Sequence, residues 1–448
     1  MIFKKNLYLL ISCIISGCSN NSSYGNESIR EELDLDNWFY EIEDSKLLMA
    51  PYLSELFISA VNNNFQLQTS LLDIKKGKIN KRINDYDKNV QMNANIGTSH
   101  SKSLEHGGNS NNSYTTSVGV FYDFDFFGKK SVEDKLNLIE QELLFLDFLG
   151  LRNDVVTSLI NEYVSISANK LRLNLHRRIK AIRIDALRIE KERFESGVSV
   201  NSEVIFSQRK LDYELKEIKK INEEIFDSVN KIENLIGRSE VVDPNEISEL
   251  DIINLPEFKI SDLPEIAGTH YNVLSSMLKI KSSSLKLERE ELEWYPQISI
   301  SGTIGTQGDK LLKLFENPAG ALSSTIILPF IEWHKRAVNV DLLNVDLSIS
   351  HLDYEYKVGS VVDNMNNALI NLYSAQRDYE FSQVDLSATE LTNYYSLSEY
   401  DYGFTSKYEY LLSEVELLNS KLAQVDAQHA FVNAKTNLCS ALDYHGCF

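Results

Sequence analysis

Two acidic residues, Glu203 and Glu409, occupy matching places in a stretch that the chain uses twice. The first copy reads Phe194-Glu195-Ser196-Gly197-Val198-Ser199-Val200-Asn201-Ser202-Glu203-Val204-Ile205. The second reads Tyr400-Asp401-Tyr402-Gly403-Phe404-Thr405-Ser406-Lys407-Tyr408-Glu409-Tyr410-Leu411. Both have an aromatic residue, a Gly three on, a hydroxyl two after it, a Glu six after the Gly, and then two apolar residues. These residue types suit a tight reversal between two helices. Gly197 and Gly403 permit the left-handed turn that ends one helix. Ser199 or Asn201, and Thr405 or Ser406, offer side-chain oxygens to cap the next, and a Glu in its first turn suits the helix dipole. The two Gly lie 206 residues apart in a chain of 448. Catalytic constellations are missing from the sequence. The eight His are scattered without ligand spacing, and neither a nucleophile elbow nor a Gly-rich phosphate loop occurs. The expectation is a protein that is not an enzyme and holds no metal or cofactor.

The elements that carry the two reversals follow from periodicity. Residues 51 to about 85 have helical spacing, with Leu53, Leu56, Ala60, Leu67, Leu71 and Ile74 on one side. The period then changes to two. Val90, Met92, Ala94 and Ile96 alternate with polar residues, and so do Val118, Val120, Tyr122 and Phe124 after a Ser/His/Gly/Asn loop at roughly 99 to 113. A long helix is expected from Ser131 to about Glu195, then the first reversal, then a helix from about Glu203 to Ile236 ended by Gly237. A loop with Pro244, Pro256 and Pro264 leads to the second half, which repeats the order. A helix spans about 264 to 293, followed by alternating runs at about 297–305 and 321–330. A long helix covers about 334 to 401, and the last helix about 409 to 442. In the long helix Val338, Leu342, Val345, Ile349, Leu352 and Tyr356 step by four and three, which is coiled-coil spacing, and the phase shifts after Gly359.

Composition bounds the setting. The net charge of −20 argues against a nucleic-acid partner. Lys4 and Lys5 precede a short apolar run, Leu7 to Ile15, that ends in Ile15-Ser16-Gly17-Cys18. This resembles a lipoprotein signal, with Cys18 as the acylated residue; an ordinary secretory signal is the alternative. Ser19 in place of Asp favours delivery to an outer membrane. Cys13 would leave with the signal, so Cys439 and Cys447 remain as a possible disulfide. The expected divisions are 1–17 signal, 18–50 polar tether, 51–245 first repeat and 246–448 second repeat.

Four alternating strands have the pattern of a membrane barrel wall, apolar outside and polar inside. Four cannot close a barrel, and open edges are not tolerated in lipid. Copies of the chain would have to complete the wall together. A soluble sheet beside coiled coils is the alternative.

This organisation resembles the TolC family of outer-membrane channels, and more closely its lipoprotein branch, the NodT-like or OprM-like efflux factors. Tyr122-Asp123-Phe124-Asp125-Phe126-Phe127-Gly128-Lys129 resembles the branch's run into the first long helix. Leu328-Pro329-Phe330-Ile331-Glu332-Trp333-His334-Lys335-Arg336 resembles its second-half counterpart, with His334 in place of a Gly. Tyr400 to Leu411 resembles the family tip, with Glu409 for Asp and Tyr410 for Val. The resemblance implies a mainly α fold with a small membrane β part, built as a duplicated half-repeat of long coiled-coil hairpins. Each protomer would give four β-strands to a twelve-stranded barrel shared by a homotrimer. It implies a passive duct, lipid-anchored in the outer membrane, that exports small molecules. Its partners would be a periplasmic adaptor and an inner-membrane pump, proton-driven or ABC-type. Glu203 and Glu409 would line a periplasmic constriction as carboxylate rings, with Tyr400 bonding across the gate, or serve only as first-turn caps. Thr405 stands where some members have a basic residue and Leu412 where many have a second acid, so the closed gate is expected to rest more on packing than on charge. Gly197, Ser199, Gly403 and Ser406 would shape the tips that meet the adaptor. The alternatives are the exit duct of a type I protein secretion system and a lipid-anchored coiled-coil adhesin without a pore.

Overall fold

The computed structural model describes residues 51–102, 110–238, 240–247, 263–308, 318–328 and 333–443, all within the unit Leu47–Phe448. Cys18 and Cys447 lie outside them, as do the signal and tether. Eight helices are described: α1 (Pro51–Asn63), α2 (Phe65–Asp87), α3 (Lys129–Glu195), α4 (Asn201–Leu235), α5 (Leu263–Thr269), α6 (Tyr271–Leu292), α7 (Trp333–Asp401) and α8 (Lys407–Leu442). Four strands are described: β1 (Gln91–Lys102), β2 (Ser110–Phe124), β3 (Gln297–Gly308) and β4 (Ala319–Ile327). At 1.5 Å per residue α3 and α7 each extend roughly 100 Å.

The strands form one antiparallel sheet in the order β1-β2-β3-β4. Its register explains the alternation in the sequence. Met92 faces Val120, Ala94 faces Val118, Val118 faces Ile304, and Ile298 faces Ile326, so the apolar residues share one face. Asn93, Asn95, Ser117, Ser299, Ser301 and Thr303 share the other. β1 and β4 are the outer strands of this sheet. The first hairpin is longer than expected. Lys102 pairs with Ser110, so pairing runs well into the polar stretch that reads as loop. Ser, Thr and Asn satisfy a ladder as well as Val does once the register is set, and a reading based on apolar alternation stops too early.

Two helices expected to be continuous are broken. Asn64 has φ −62° and ψ 123°, and its side chain accepts from the N–H groups of Gln66 and Leu67. His270 has φ −63° and ψ 134°, and its Nδ1 accepts from the Asn272 N–H at 3.1 Å. Each residue is an N-cap that restarts a helix after one extended residue. Burial pushes the His270 imidazole below its ordinary value, with Lys357 adding to the effect and Asp443 opposing it, which favours the unprotonated acceptor that the cap needs. Asn64 and His270 are 206 residues apart, as are Gly197 and Gly403, so the break belongs to the repeat. The long helix that passes Gly359 runs on without a break.

The halves are joined along α3. It packs on α2 and α4 of its own half and on α6 and α8 of the other. α7 packs on α6, α8 and the short α5. One buried cluster unites Val132 and Ile139 of α3 with Leu285 of α6. A second unites Ile179, Ile182 and Ala186 of α3 with Leu411, Val415 and Leu418 of α8. Among the described residues no helix is long and apolar enough to cross a membrane.

Candidate tunnel gate at the helical tips

Both reversals form as their residue types require. Gly197 has φ 75° and Gly403 φ 77°, in the left-handed region where a side chain is strained. The chain closes each turn with matching bonds. Val198 N–H donates to Arg193 O at 2.8 Å, and Phe404 N–H donates to Glu399 O at 2.8 Å.

The carboxylates of the two tips then part company. At the second tip Ser406 is the N-cap of α8 and forms a full capping box with Glu409. Ser406 N–H donates to Glu409 Oε2 at 3.0 Å, Ser406 Oγ at 2.9 Å and Thr405 Oγ1 at 2.8 Å. These bonds, the backbone one foremost, lower the Glu409 carboxyl to about 2. Thr405 therefore acts on Glu409 as a hydrogen-bond donor. Tyr400 stacks on Tyr410, with ring centroids 5.6 Å apart and planes 12° from parallel. Tyr402 and Phe404 are exposed beside them.

At the first tip Val200 is the N-cap, and no side chain caps the helix. Neither Ser199 nor Asn201 caps it, contrary to the expectation from residue type. Ser199 Oγ donates instead to Glu190 Oε1 on the preceding helix, and Asn201 begins α4. Glu203 stands in the first turn of α4, exposed, outside any capping box.

Sequence reasoning missed Glu190, Arg193 and Tyr408. Glu190 is 2% exposed, close to the end of α3. Arg193 pairs with it at 3.3 Å and lies over the Tyr408 ring of α8 at 5.5 Å. Burial raises the Tyr408 hydroxyl, with Glu190 and Glu203 adding to the effect. This cluster ties the end of the first hairpin to the start of α8. A signal was present, because Glu190 and Arg193 are three apart and continue the stripe of Ile179, Ile182, Ala186 and Ile189. The 206-residue shift puts Ser396, Glu399 and Ser202 at the equivalent places, so the cluster has no twin in the other half.

Cys439 is fully buried and disulfide-bonded, while its expected partner Cys447 is outside the described residues. Trp294 and Tyr295 are half-exposed between α6 and β3, with Tyr295 stacked on Phe127 at 4.6 Å.

No protein-family model matches the chain. Whole-length relatives do. Toxin and drug export protein A of Aggregatibacter actinomycetemcomitans is 20% identical, covering 98% of each chain. The probable outer membrane lipoprotein SilC of Salmonella typhimurium is 20% identical over 88% of this chain and 86% of its own. Among solved structures, the Campylobacter jejuni CmeC outer membrane channel superposes with a TM-score of 0.76, at 16% identity, over 91% of this chain and 88% of that one. The chain is a homologue of outer-membrane efflux proteins and has the TolC-family channel fold. In that fold one protomer carries an unclosed sheet, which accounts for the two outer strands seen here.

Proposed function

We propose that this chain is the outer-membrane exit duct of a tripartite efflux pump, a passive conduit for small molecules. The observation that carries the reading is a sheet of four strands, apolar on one face and polar on the other, whose outer strands β1 and β4 each pair on one side alone among the described residues, in a TolC-family fold. Such a wall has to be closed by further copies, and three copies make twelve strands. Acylation at Cys18 anchors the assembly in the outer membrane, and the helical hairpins reach into the periplasm. The tips at Gly197, Ser199, Gly403 and Ser406 meet a periplasmic adaptor, and an inner-membrane pump supplies the energy. The carboxylates of Glu203 and Glu409 give the constriction a preference for cations. A coiled-coil adhesin is set aside, because it has no use for an alternating sheet of this register.

A second reading, export of a protein, is favoured by the relative named toxin and drug export protein A. Deletion of the gene separates the two. Increased susceptibility to small toxic compounds or metal ions, restored by the intact gene, supports efflux. Unchanged susceptibility together with loss of one secreted protein supports protein export.

A further inference from the structure

At the opposite end of α3 from its tip, the sheet and the helices meet around a cavity. It has a volume of about 350 Å³ and lies where β2 runs into α3 and α6 runs into β3. That size suits a small molecule or the end of a larger one. Phe124, Phe127, Leu292, Tyr295 and Ile298 form its apolar side. Phe124 faces Ile298 at the end of the β2–β3 ladder, on the apolar face of the sheet. The cavity is therefore the helical end of the face that a membrane covers. Aromatic rings gather there, as they do where a membrane wall meets water. Phe124 stacks on Phe126 at 5.3 Å, and Phe127 on Tyr295 at 4.6 Å.

The polar side of the cavity carries two opposite charges on one helix. Lys130 and Glu133 both line it, from the first turns of α3. The Lys130 ammonium donates to the carbonyl oxygens of Asp123 and Asp87, at 3.1 and 3.3 Å, and stands 5.9 Å from the Tyr122 ring centroid. These partners are uncharged, so the ammonium is left to attract an anion. Lys129 beside it is paired with Glu293. The helix end itself is already capped, because Asp125 accepts from the N–H groups of Lys130 and Ser131 at 3.1 and 3.3 Å. Glu133 holds Arg289 at 2.9 Å through Oε2, which leaves Oε1 to accept a further donor.

We propose that this cavity binds the head of one phospholipid with a primary ammonium, phosphatidylethanolamine, from the leaflet nearest the helices. Its phosphate accepts from Lys130, its ammonium donates to Glu133, and its glycerol and first methylenes lie on Phe124, Leu292 and Ile298. Residues three apart on a helix stand roughly 5–6 Å apart, a span that the two-carbon link between phosphate and ammonium bridges. The repeat limits the number of sites. The order aromatic, any residue, base, base in Phe127-Gly128-Lys129-Lys130 recurs as Trp333-His334-Lys335-Arg336, but the 206-residue shift takes Glu133 to Asn339. Asn339 donates to Glu290 at 3.0 Å. Bases at the membrane edge are common to both halves. The acid that selects an ammonium belongs to the first half alone, which gives one site per chain. This inference rests on the sheet standing in a membrane, and it adds a lipid that ties α3 of the first half to β3 of the second.

Native mass spectrometry of the full-length assembly tests this, once detergent exchange has removed loosely held lipid and defined lipids are titrated back. Phosphatidylethanolamine adds up to one molecule per chain. Phosphatidylcholine, whose head has no N–H, and phosphatidylglycerol, whose head has no cation, each bind about tenfold more weakly. Lys130→Gln weakens phosphatidylethanolamine about tenfold, and Glu133→Gln brings it level with phosphatidylcholine. Ile298→Trp fills the cavity, leaves every charge in place and abolishes the added mass. Equal retention of the three lipids by the unaltered protein, or a lipid held as well by the Ile298→Trp protein, overturns the site and leaves the duct standing. A single-copy species that still takes one phosphatidylethanolamine upholds the site and overturns the closed assembly.

Discussion

The two tips of this chain share a turn and differ in what holds it. At the second tip the turn is self-sufficient, because Ser406, Thr405 and Glu409 satisfy one another within five residues. At the first tip the turn is held from behind. Ser199 reaches back across Gly197 to Glu190, which Arg193 also binds, and Arg193 in turn covers Tyr408 of α8. One tip is built from local capping, the other from a buried charge that reaches the second hairpin. A duplicated sequence can therefore keep its shape while its halves take on separate work.

The largest effect is expected where that buried charge loses its partner. Arg193→Met leaves the Glu190 carboxylate buried with Ser199 as its remaining donor. The hairpin contact weakens by roughly 2–3 kcal/mol, toward the lower end for a half-exposed Arg. Thermal unfolding of the purified assembly measures the loss, and the paired change Glu190→Gln with Arg193→Met recovers part of it. An equal loss from Glu399→Met at the second tip would erase the contrast between the tips. Next come the turns themselves. Gly197→Ala and Gly403→Ala each force a side chain into left-handed backbone at a cost of about 1–2 kcal/mol, read as a fall in melting temperature of similar size at the two tips. Ser406→Ala removes the capping box and costs about 1 kcal/mol, whereas Asn201→Ala at the uncapped first tip changes stability little. Proteolysis rates at the two tips compare these directly.

The smallest effect concerns pH. The Glu409 carboxyl lies below its ordinary range in the folded chain, at about 2, because of its capping bonds. The stabilisation those bonds give is complete above the ordinary carboxylate range and is lost as pH falls toward about 2. Glu409 therefore stays ionised at pH 3. A Glu203→Gln assembly in a planar bilayer should keep its cation preference at pH 3, and Glu203→Gln with Glu409→Gln should lose it. If the preference of the single variant vanishes at pH 3, Glu409 is not the group that supplies it.

Much of this architecture is legible in the sequence. Alternation located all four strands, and the repeated tip located both hairpins, because each is fixed by residue types within a dozen positions. The breaks at Asn64 and His270 were not readable. No Gly or Pro stands beside Asn64, Gly268 two residues before His270 lies within a helix that continues past it to Thr269, and one extended ψ within a helical apolar pattern leaves that pattern intact. The Glu190, Arg193 and Tyr408 cluster escaped for another reason. It joins residues more than two hundred positions apart, and its acid sits on an apolar stripe where local reasoning expects a core residue.

The account depends on this chain being a part of a wall that its own copies complete. Native mass spectrometry of the detergent-extracted, full-length protein tests this most directly, with the same sample applied to a planar lipid bilayer. The account predicts a species of three copies that carries current. A monomer that passes no ions would contradict it.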